Sequence, residues 1–409
     1  MNCCAMVDTL KPRDGKEVEE AVRWALANEK PIEITGQGTK RAIGRPSQTD
    51  LTLDLSGFSG VTLYEPAELV LSARAGTPLA EIETLLEKNN QELAFEPMDY
   101  GPLLGGEANG GTLGGVIAAN LSGPRRIKAG AARDHFLGVT AVTGRGETIK
   151  SGGRVVKNVT GYDLCKLLAG SWGTLAAMTD VTIKVLPKAE TEATVLLTGL
   201  DDVRACVAMA AAMASSCDVS GAAHLPDHVA SWFDGLPKPE ASTVLRLEGF
   251  APSVAHRKEA LAALLKVFGP VTLLDEKDSR SLWRSIRDVK PFSSEAVRKR
   301  PLWRISVAPS HGHEIARAIT PAAQMFYDWG GGLVWLAMPF AGEPDAAAVR
   351  SAVAAAGGHA TLVRAPASVR ASVDVFAPEE PAVRALGKRV KESFDPKGVL
   401  NPGRMWAGI

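Results

Sequence analysis

The stretch from Gly110 to Pro187 limits what this chain can fold into more than any other. It opens with Gly110-Gly111-Thr112-Leu113-Gly114-Gly115 and runs on through Ala119-Asn120-Leu121-Ser122-Gly123-Pro124. It closes with Gly161-Tyr162-Asp163-Leu164 and Leu168-Ala169-Gly170-Ser171-Trp172-Gly173-Thr174-Leu175. Apolar residues keep strand and helix spacing between the glycines, an order that a flexible linker lacks. Glycine within such a pattern marks positive φ or a close approach of backbone to ligand. A single motif of this kind is explained by tight turns in a twisted sheet. Four in under eighty residues favour a large ligand lying along the main chain. Thr112, Asn120, Ser171 and Thr174 are small polar companions suited to a phosphate or a heterocycle edge.

The segments before and after this stretch supply elements around it. Asp14 reads as an N-cap with Glu17 at the third helical position, and Val18, Ala21, Val22, Ala25 and Leu26 then mark one helical face. Pro31-Ile32-Glu33-Ile34 is a short strand feeding Thr35-Gly36-Gln37-Gly38-Thr39-Lys40-Arg41. A glycine turn after a strand can point successive N–H groups into one concavity, an anion nest. No amphipathic helix follows, and the spacing is not that of a P-loop. Together with the later glycines, this turn implies a pyrophosphate site. A strand over 69–76 and a helix through Leu79, Ile82, Leu85 and Leu86 come next, and Phe95-Glu96-Pro97 then leads into a glycine loop. Residues 139–143 and 147–151 flank Gly144-Arg145-Gly146 as a hairpin. Val181, Ile183 and Val185 alternate with Thr182 and Lys184 in the last strand of this domain.

At 409 residues the chain exceeds the usual limit of one core. The expected division is residues 1–188, a domain over 189–380, and a tail over 381–409 that returns to the first domain. The middle segment reads strand 194–198, helix 202–214, strand 219–224, strand 243–249, helix 253–267 and strand 270–275, a ferredoxin-like order. A looser unit follows with strand 302–308, helix 312–325, strand 333–338, helix 345–356 and strand 359–364. The whole is expected to form one antiparallel sheet with helices on one face. Lys plus Arg and Asp plus Glu are equal at 46 each, so no basic excess points to nucleic acid. Cys3, Cys4, Cys165, Cys206 and Cys217 lack Cys-x-x-Cys spacing, which fits free thiols in a reducing cytoplasm. No apolar run approaches the roughly 20 residues of a membrane span. The expected location is cytoplasmic, or peripheral at the inner membrane through partner subunits.

Five motifs occur in a telling order: Gly36-Gln37-Gly38-Thr39, 112–115, Gly161-Tyr162-Asp163-Leu164, Gly170-Ser171-x-Gly173-Thr174-Leu175, and Phe394-Asp395-Pro396-x-Gly398-x-Leu400-Asn401-Pro402-Gly403. Together they resemble flavoproteins of the vanillyl-alcohol-oxidase (PCMH-type FAD-binding) superfamily, and within it the FAD-binding E subunits of bacterial glycolate oxidases. The resemblance spans nearly the whole chain and is specific through the combination. It implies an α+β fold, with a PCMH-type two-subdomain FAD-binding domain followed by a ferredoxin-like antiparallel cap. It also implies FAD along Gly36, Gln37, Gly38, Thr39, Lys40, Pro97, Gly111, Thr112, Gly114, Gly115, Asn120, Gly123, Gly130, Gly170, Ser171, Gly173, Thr174, Thr179 and Asn401. Covalent attachment in the superfamily uses a histidine or cysteine, and neither 36–44 nor 110–130 contains one. The flavin is therefore expected to be noncovalent.

A 2-hydroxy acid needs a cation for its carboxylate, a base for its hydroxyl proton and a hydride acceptor. Arg287, in Leu282-Trp283-Arg284-Ser285-Ile286-Arg287, resembles the carboxylate-binding arginine of hydroxy-acid dehydrogenases. The alternative is a solvated helix face, since Arg280, Arg284 and Lys290 are close in sequence. The catalytic relatives carry a histidine pair and a Ser-Gly-Glu-His segment that bind a divalent metal. Here the corresponding Asp328–Trp335 stretch has no histidine, and no metal is expected. His224 and His228 are separated by Pro226, and His311 and His313 have no carboxylate constellation nearby in sequence. Trp329 and Trp335 fit a buried strand face or a partner surface. Two readings follow. One is an FAD-carrying subunit beside a catalytic FAD subunit and an iron–sulfur subunit; the other is a self-sufficient flavin dehydrogenase for a small hydroxy acid. An empty paralogue is a third, against which the intact glycine motifs count.

Overall fold

The structure is a computed structural model that describes residues 8–154, 161–237, 240–340 and 342–408. Cys3 and Cys4 lie outside the described residues. Asp14 caps the first helix through its carboxylate, which accepts the N–H groups of Lys16 and Glu17. Glu17 turns back to the N–H of Arg13 instead of that of Asp14. After β1 (Asp8–Leu10), helix α1 (Gly15–Asn28) buries Val18, Ala21, Val22 and Ala25. This face lies over a small parallel sheet of β1, β2 (Ile32–Thr35) and β3 (Leu51–Asp54), in the order β1-β3-β2.

A five-stranded antiparallel sheet forms the second half of this domain. In chain order its elements are β4 (Val61–Glu65), β5 (Val70–Arg74), α2 (Leu79–Glu87), α3 (Leu113–Ala119), β6 (Phe136–Thr143), β7 (Thr148–Gly152), α4 (Leu164–Leu168) and β8 (Ala176–Lys184). The strand order is β4-β5-β8-β6-β7, with β8 central. Val181 and Ile183 are buried while Thr182 and Lys184 are half-buried, the alternation expected of a sheet that packs one face inward. Cys165 is buried on α4, and burial pushes its thiol up to about 11, the state of an unreactive core cysteine.

The cap is one antiparallel sheet of eight strands. Its first half contains β9 (Thr191–Thr198), α5 (Asp202–Met213), β10 (Gly221–Leu225), β11 (Ser242–Gly249), α6 (Ala251–Leu265) and β12 (Val271–Leu274). Helix α7 (Glu276–Arg287) then leads to β13 (Leu302–Ser306), α8 (Gly312–Ala318), β14 (Gln324–Asp328), β15 (Leu333–Ala337), α9 (Ala346–Ala355) and β16 (His359–Arg364). The order β12-β9-β11-β10-β14-β15-β13-β16 resolves into two ferredoxin-like quartets set edge to edge. They meet at a single pairing, His224 opposite Tyr327.

Two expectations are corrected here. The helix expected over 312–325 stops at Ala318, before Thr320-Pro321, where proline lacks the N–H that a helix interior needs. Residues 324–328 are strand β14, and this strand turns the looser second unit into a complete quartet. The helices also flank both faces instead of one. Helices α5 and α6 cover Val195, Leu197, Leu245 and Leu247, whereas α7 lies on the opposite face. There the indole of Trp283 donates to Thr194 Oγ1 at 2.9 Å. Trp335 is buried on β15, as a strand-face reading requires, whereas Trp329 is buried in the tight turn before that strand.

Ion pairs dock the cap onto the first domain. Arg246 is fully buried on β11 and donates to both carboxylate oxygens of Glu96 at 2.8 and 2.9 Å. Arg125 reaches Glu92 at 2.9 Å and also contacts Glu248. Glu96 sits in the left-handed region at φ 49°, so the contact holds a strained residue in place. Finally, helix α10 (Pro381–Phe394) brings the C-terminal segment back. Val399 and Leu400 pack with Ile32 and Leu53 in one apolar cluster.

Candidate cofactor site

Strand β2 is short because the chain must leave the sheet at Thr35. The following turn, Gly36 to Lys40, forms one wall of a cleft of about 750 Å³. Thr112, Gly114, Gly115 and Ala118 form the facing wall, and Trp172, Gly173, Ala176 and Met178 line the base. The glycines are required by contact distances. A Cβ on Gly36 would lie 2.5 Å from Thr112 Oγ1, the atom that accepts the N–H of Gly115 at 3.3 Å. A side chain there would displace the cap of α3. Gly173 has φ 73°, and a Cβ on it would lie 2.6 Å from Asn401 Nδ2.

Charge in the cleft is concentrated in Lys40. Its ammonium donates to Thr39 Oγ1 at 3.1 Å and has no acidic partner within ion-pair distance among the described residues. Burial pushes its pKa down to about 8, opposed only by the more distant charge of Asp99. Arg41 and Arg404, by contrast, both contact Glu33, Arg404 at 3.7 Å. Arg404 also donates to the carbonyl of Lys40 at 2.7 Å and fixes that residue's backbone. A part-buried cation beside close-packed glycine main chain suits a diphosphate, whose oxygens accept from both.

The C-terminal segment closes the cleft. Asn401 Oδ1 accepts the N–H of Ile34 at 2.8 Å, and its Nδ2 donates to the carbonyl of Trp172 at 2.7 Å. One side chain thus ties the β2 wall to the base. Behind it, Lys391 donates to Asp395 at 2.6 Å, to the Thr174 carbonyl at 2.7 Å and to the Leu400 carbonyl at 2.9 Å. The Asp395 carboxylate accepts the N–H groups of Val399 and Leu400. This network explains the Asp in the Phe-Asp-Pro motif.

Of the residues expected to contact the cofactor, Gly36, Gln37, Gly38, Thr39, Lys40, Thr112, Gly114, Gly115, Gly173 and Asn401 line the cleft. The others stand outside this lining. Gly111 packs against Leu79, and Asn120 ends α3 and accepts the N–H of Arg133 at 3.0 Å. Gly170 lies against Asn120, and Gly130 against Asp134. Thr174 donates to the Ser171 carbonyl at 2.7 Å, and Thr179 to the Thr140 carbonyl at 3.1 Å. The Gly123 carbonyl accepts from the Trp329 indole at 3.0 Å. Pro97 and Arg287 line a separate charged groove of about 1040 Å³. The carboxylate-binding role expected of Arg287 meets a competitor already in place, because both Asp288 oxygens accept from its guanidinium at 2.9 and 2.8 Å.

Sequence reasoning missed several lining residues, among them Ala118, Trp172, Ala176, Met178 and Arg404. Trp172 lies inside a quoted motif, at the variable position of Gly-Ser-x-Gly, and Arg404 directly follows Pro402-Gly403. The three apolar residues carry no signal apart from strand and helix periodicity. Of the histidines, His224 is a buried strand residue, its Nδ1 2.8 Å from Thr243 Oγ1 and its Nε2 3.2 Å from Asp202. His311 pairs with Glu314 at 3.0 Å.

Comparison with known proteins agrees with this geometry. Residues 9–152 match the family model described as an FAD binding domain. Over 397 residues the chain is 34% identical to glycolate oxidase subunit GlcE of Escherichia coli, covering 95% of this chain and 97% of that protein. It is 29% identical over 188 residues to glycolate oxidase subunit GlcD of Bacillus subtilis, covering 46% of this chain and 38% of that one. Among solved structures, p-cresol methylhydroxylase with substrate bound superposes with a TM-score of 0.71 at 11% identity, covering 98% of this chain and 88% of that one. At that identity the likeness establishes the PCMH-type fold.

Proposed function

Because the chain belongs to the family of the glycolate oxidase subunit GlcE, and is with it an FAD-dependent oxidoreductase, we propose that it serves as the FAD-carrying subunit of a 2-hydroxy-acid oxidase complex. The complex would convert glycolate or D-lactate to the 2-oxo acid and pass electrons to an iron–sulfur partner. The observation that carries this reading is Lys40, a cation without an acidic partner among the described residues, set into a glycine-walled cleft. When bound, FAD supplies the hydride acceptor that the oxidation needs. The chain's own residues bind and orient it. The main chain of Gly36, Gln37, Gly38 and Thr39 and the ammonium of Lys40 hold the diphosphate, with Thr112, Gly114 and Gly115 opposite. Asn401 and Gly173 keep the two walls at the spacing the cofactor requires. Gly111, Asn120, Gly123, Gly130, Gly170, Ser171 and Thr174 act by shaping the loops around these, Thr179 ties β8 to β6, and Pro97 lies in the separate charged groove.

The partial match to a GlcD subunit supports a second, related flavoprotein beside this one. No helix among the described residues is long and apolar enough to cross a membrane. The full chain should be purified alone and its visible flavin absorption followed while glycolate or D-lactate is added without oxygen. The carrier reading expects yellow protein that bleaches only when the partner subunits are added. Rapid bleaching of the isolated chain would assign it independent catalysis. Colourless protein, even after incubation with FAD, would overturn the proposal.

A further inference from the structure

Two arginines in the described residues stand apart from the others. Every other buried or half-buried arginine has an acceptor. Arg246 has Glu96, Arg287 has Asp288, and Arg364 donates to four main-chain carbonyls. Arg370 donates to the Gly44 carbonyl, and Arg404 to that of Lys40. Arg126 and Arg304, each half-buried, have no hydrogen bond or ion pair from their guanidinium groups among the described residues. Instead both lie over the ring of Trp329, with Cζ 4.6 and 4.9 Å from its centroid. Each cation gains from the ring face, yet two on one indole repel each other. Burial and the neighbouring Arg126 both push the Arg304 pKa down. Ring stacking therefore accounts for each arginine singly and leaves the pair under-compensated.

The position of the pair is informative. Trp329 is anchored to the Gly123 carbonyl, close after the helix that walls the cofactor cleft. Tyr100, a buried neutral phenol near Arg304, directly follows Asp99, whose more distant charge acts on Lys40. The cluster thus lies where the cap meets the FAD-binding domain beside that cleft. Two acids act on the pair from nearby, Asp134 on Arg126 and Asp328 on Arg304; Asp328 is buried, and one of its oxygens accepts the Trp329 N–H at 2.7 Å.

We propose that Arg126 and Arg304 form a carboxylate-binding site around Trp329, which takes the carboxylate of a small 2-hydroxy or 2-oxo acid. The choice of ligand class rests on the proposed hydroxy-acid function. Guanidinium groups match a carboxylate through paired N–H donors, and a single negative charge offsets the repulsion between them. Asp134 and Asp328 offset part of the positive charge, so one added carboxylate suits the pair better than a dianion such as sulfate. The position belongs to these two arginines and not to Arg287, whose donors Asp288 already occupies.

The test is titration of the flavin-loaded full chain with pyruvate, a monoanionic 2-oxo acid, followed by calorimetry and by tryptophan fluorescence. The wild type should bind pyruvate, and sulfate should compete poorly. Arg304→Leu and Arg126→Leu should each weaken pyruvate by roughly tenfold or more, and Arg304→Lys should recover part of the loss. Flavin absorbance, read in the same samples, separates the two levels of inference. Protein without flavin would remove the functional reading. Flavin-loaded protein whose pyruvate affinity is unchanged in both leucine variants, or falls only in Arg287→Leu, would overturn this proposal alone. So would a wild type that ignores pyruvate or prefers sulfate.

Discussion

Replacing Lys40 with methionine keeps the side-chain stem and removes the cation, and the structure assigns the two consequences opposite signs. Burial lowers the Lys40 pKa from 10.5 to about 8. At about 1.4 kcal/mol per pH unit, that fall corresponds to roughly 3 kcal/mol against the charged form. The group sits at a cleft open to solvent, and screening reduces the figure to about 1 kcal/mol. The flavin-free Lys40→Met protein should therefore be more stable than the wild type by about 1 kcal/mol near neutral pH. The sign of the pH dependence follows. The folded value lies below the unfolded one, so the penalty is full below pH 8 and fades as pH rises to 10.5. The flavin-free wild type should gain stability across that window and the variant should not. FAD affinity should move the other way. A charge-assisted bond to phosphate contributes about 1.5–3 kcal/mol, so the variant should bind FAD about 10- to 150-fold more weakly. The diphosphate favours the protonated lysine, so wild-type affinity should fall as pH rises above 8, and the variant's affinity should lack that fall. Urea unfolding of flavin-free protein and fluorescence titration with FAD across this range measure both. Unchanged FAD affinity with no difference in pH profile would refute the assignment of Lys40 to the diphosphate.

Two further outcomes follow from the same contacts. Asn401→Ala leaves the Ile34 N–H and the Trp172 carbonyl without their partner, which should cost roughly 2–4 kcal/mol in urea unfolding and weaken FAD by more than any change confined to one wall. Glu96 is held at about 2 by Arg246 and Arg125 in spite of its burial, so its stabilisation is present above pH 4.5 and is lost as pH falls from there through about 2. Glu96→Gln should flatten acid unfolding over that window and lower stability at neutral pH by roughly 3 kcal/mol, because Arg246 stays buried without its closest carboxylate.

How much of this was legible in the sequence depended on whether the controlling contact is local. The Asp14 cap, the Gly36–Lys40 turn, the hairpin around Gly144-Arg145-Gly146 and the first ferredoxin-like quartet all follow from spacings within about twenty residues. The second quartet was half-read, because alanines and an apolar run carried the helical pattern past Thr320-Pro321. The proline was the available signal, and the Met325-Phe326-Tyr327 run beyond it is better suited to a strand buried on both faces. The role of Arg287 was not legible, since nothing in the sequence shows that Asp288 folds back onto it. Nor was the meeting of Arg126 with Arg304, which is made by docking a cap onto a distant domain. Asn401 could be named from its motif, but its task as a bridge between Ile34 and Trp172 is visible only in three dimensions.

These long-range contacts also say in what order the site must be completed. The cleft is bounded by Ile34 and Lys40 near one end of the chain and by Asn401 and Arg404 near the other, at sequence separations of 367 and 364 residues. Closing so long a loop costs entropy that only the finished sheet and cap can offset. The Gly36–Lys40 turn has few apolar contacts of its own, so the wall is held by Asn401, by the Arg404 bond to the Lys40 carbonyl and by the packing of Val399 and Leu400 on Ile32. The cofactor cleft is therefore complete only once the C-terminal segment has docked, although its glycine motifs lie in the first half of the chain. A dinucleotide bound there spans walls joined by only a few hydrogen bonds, and its binding energy adds directly to the contact between the two ends. In this fold the ligand is part of the tertiary structure, which is why side chains as far from any chemistry as Lys391 and Asp395 are spent on fixing the tail.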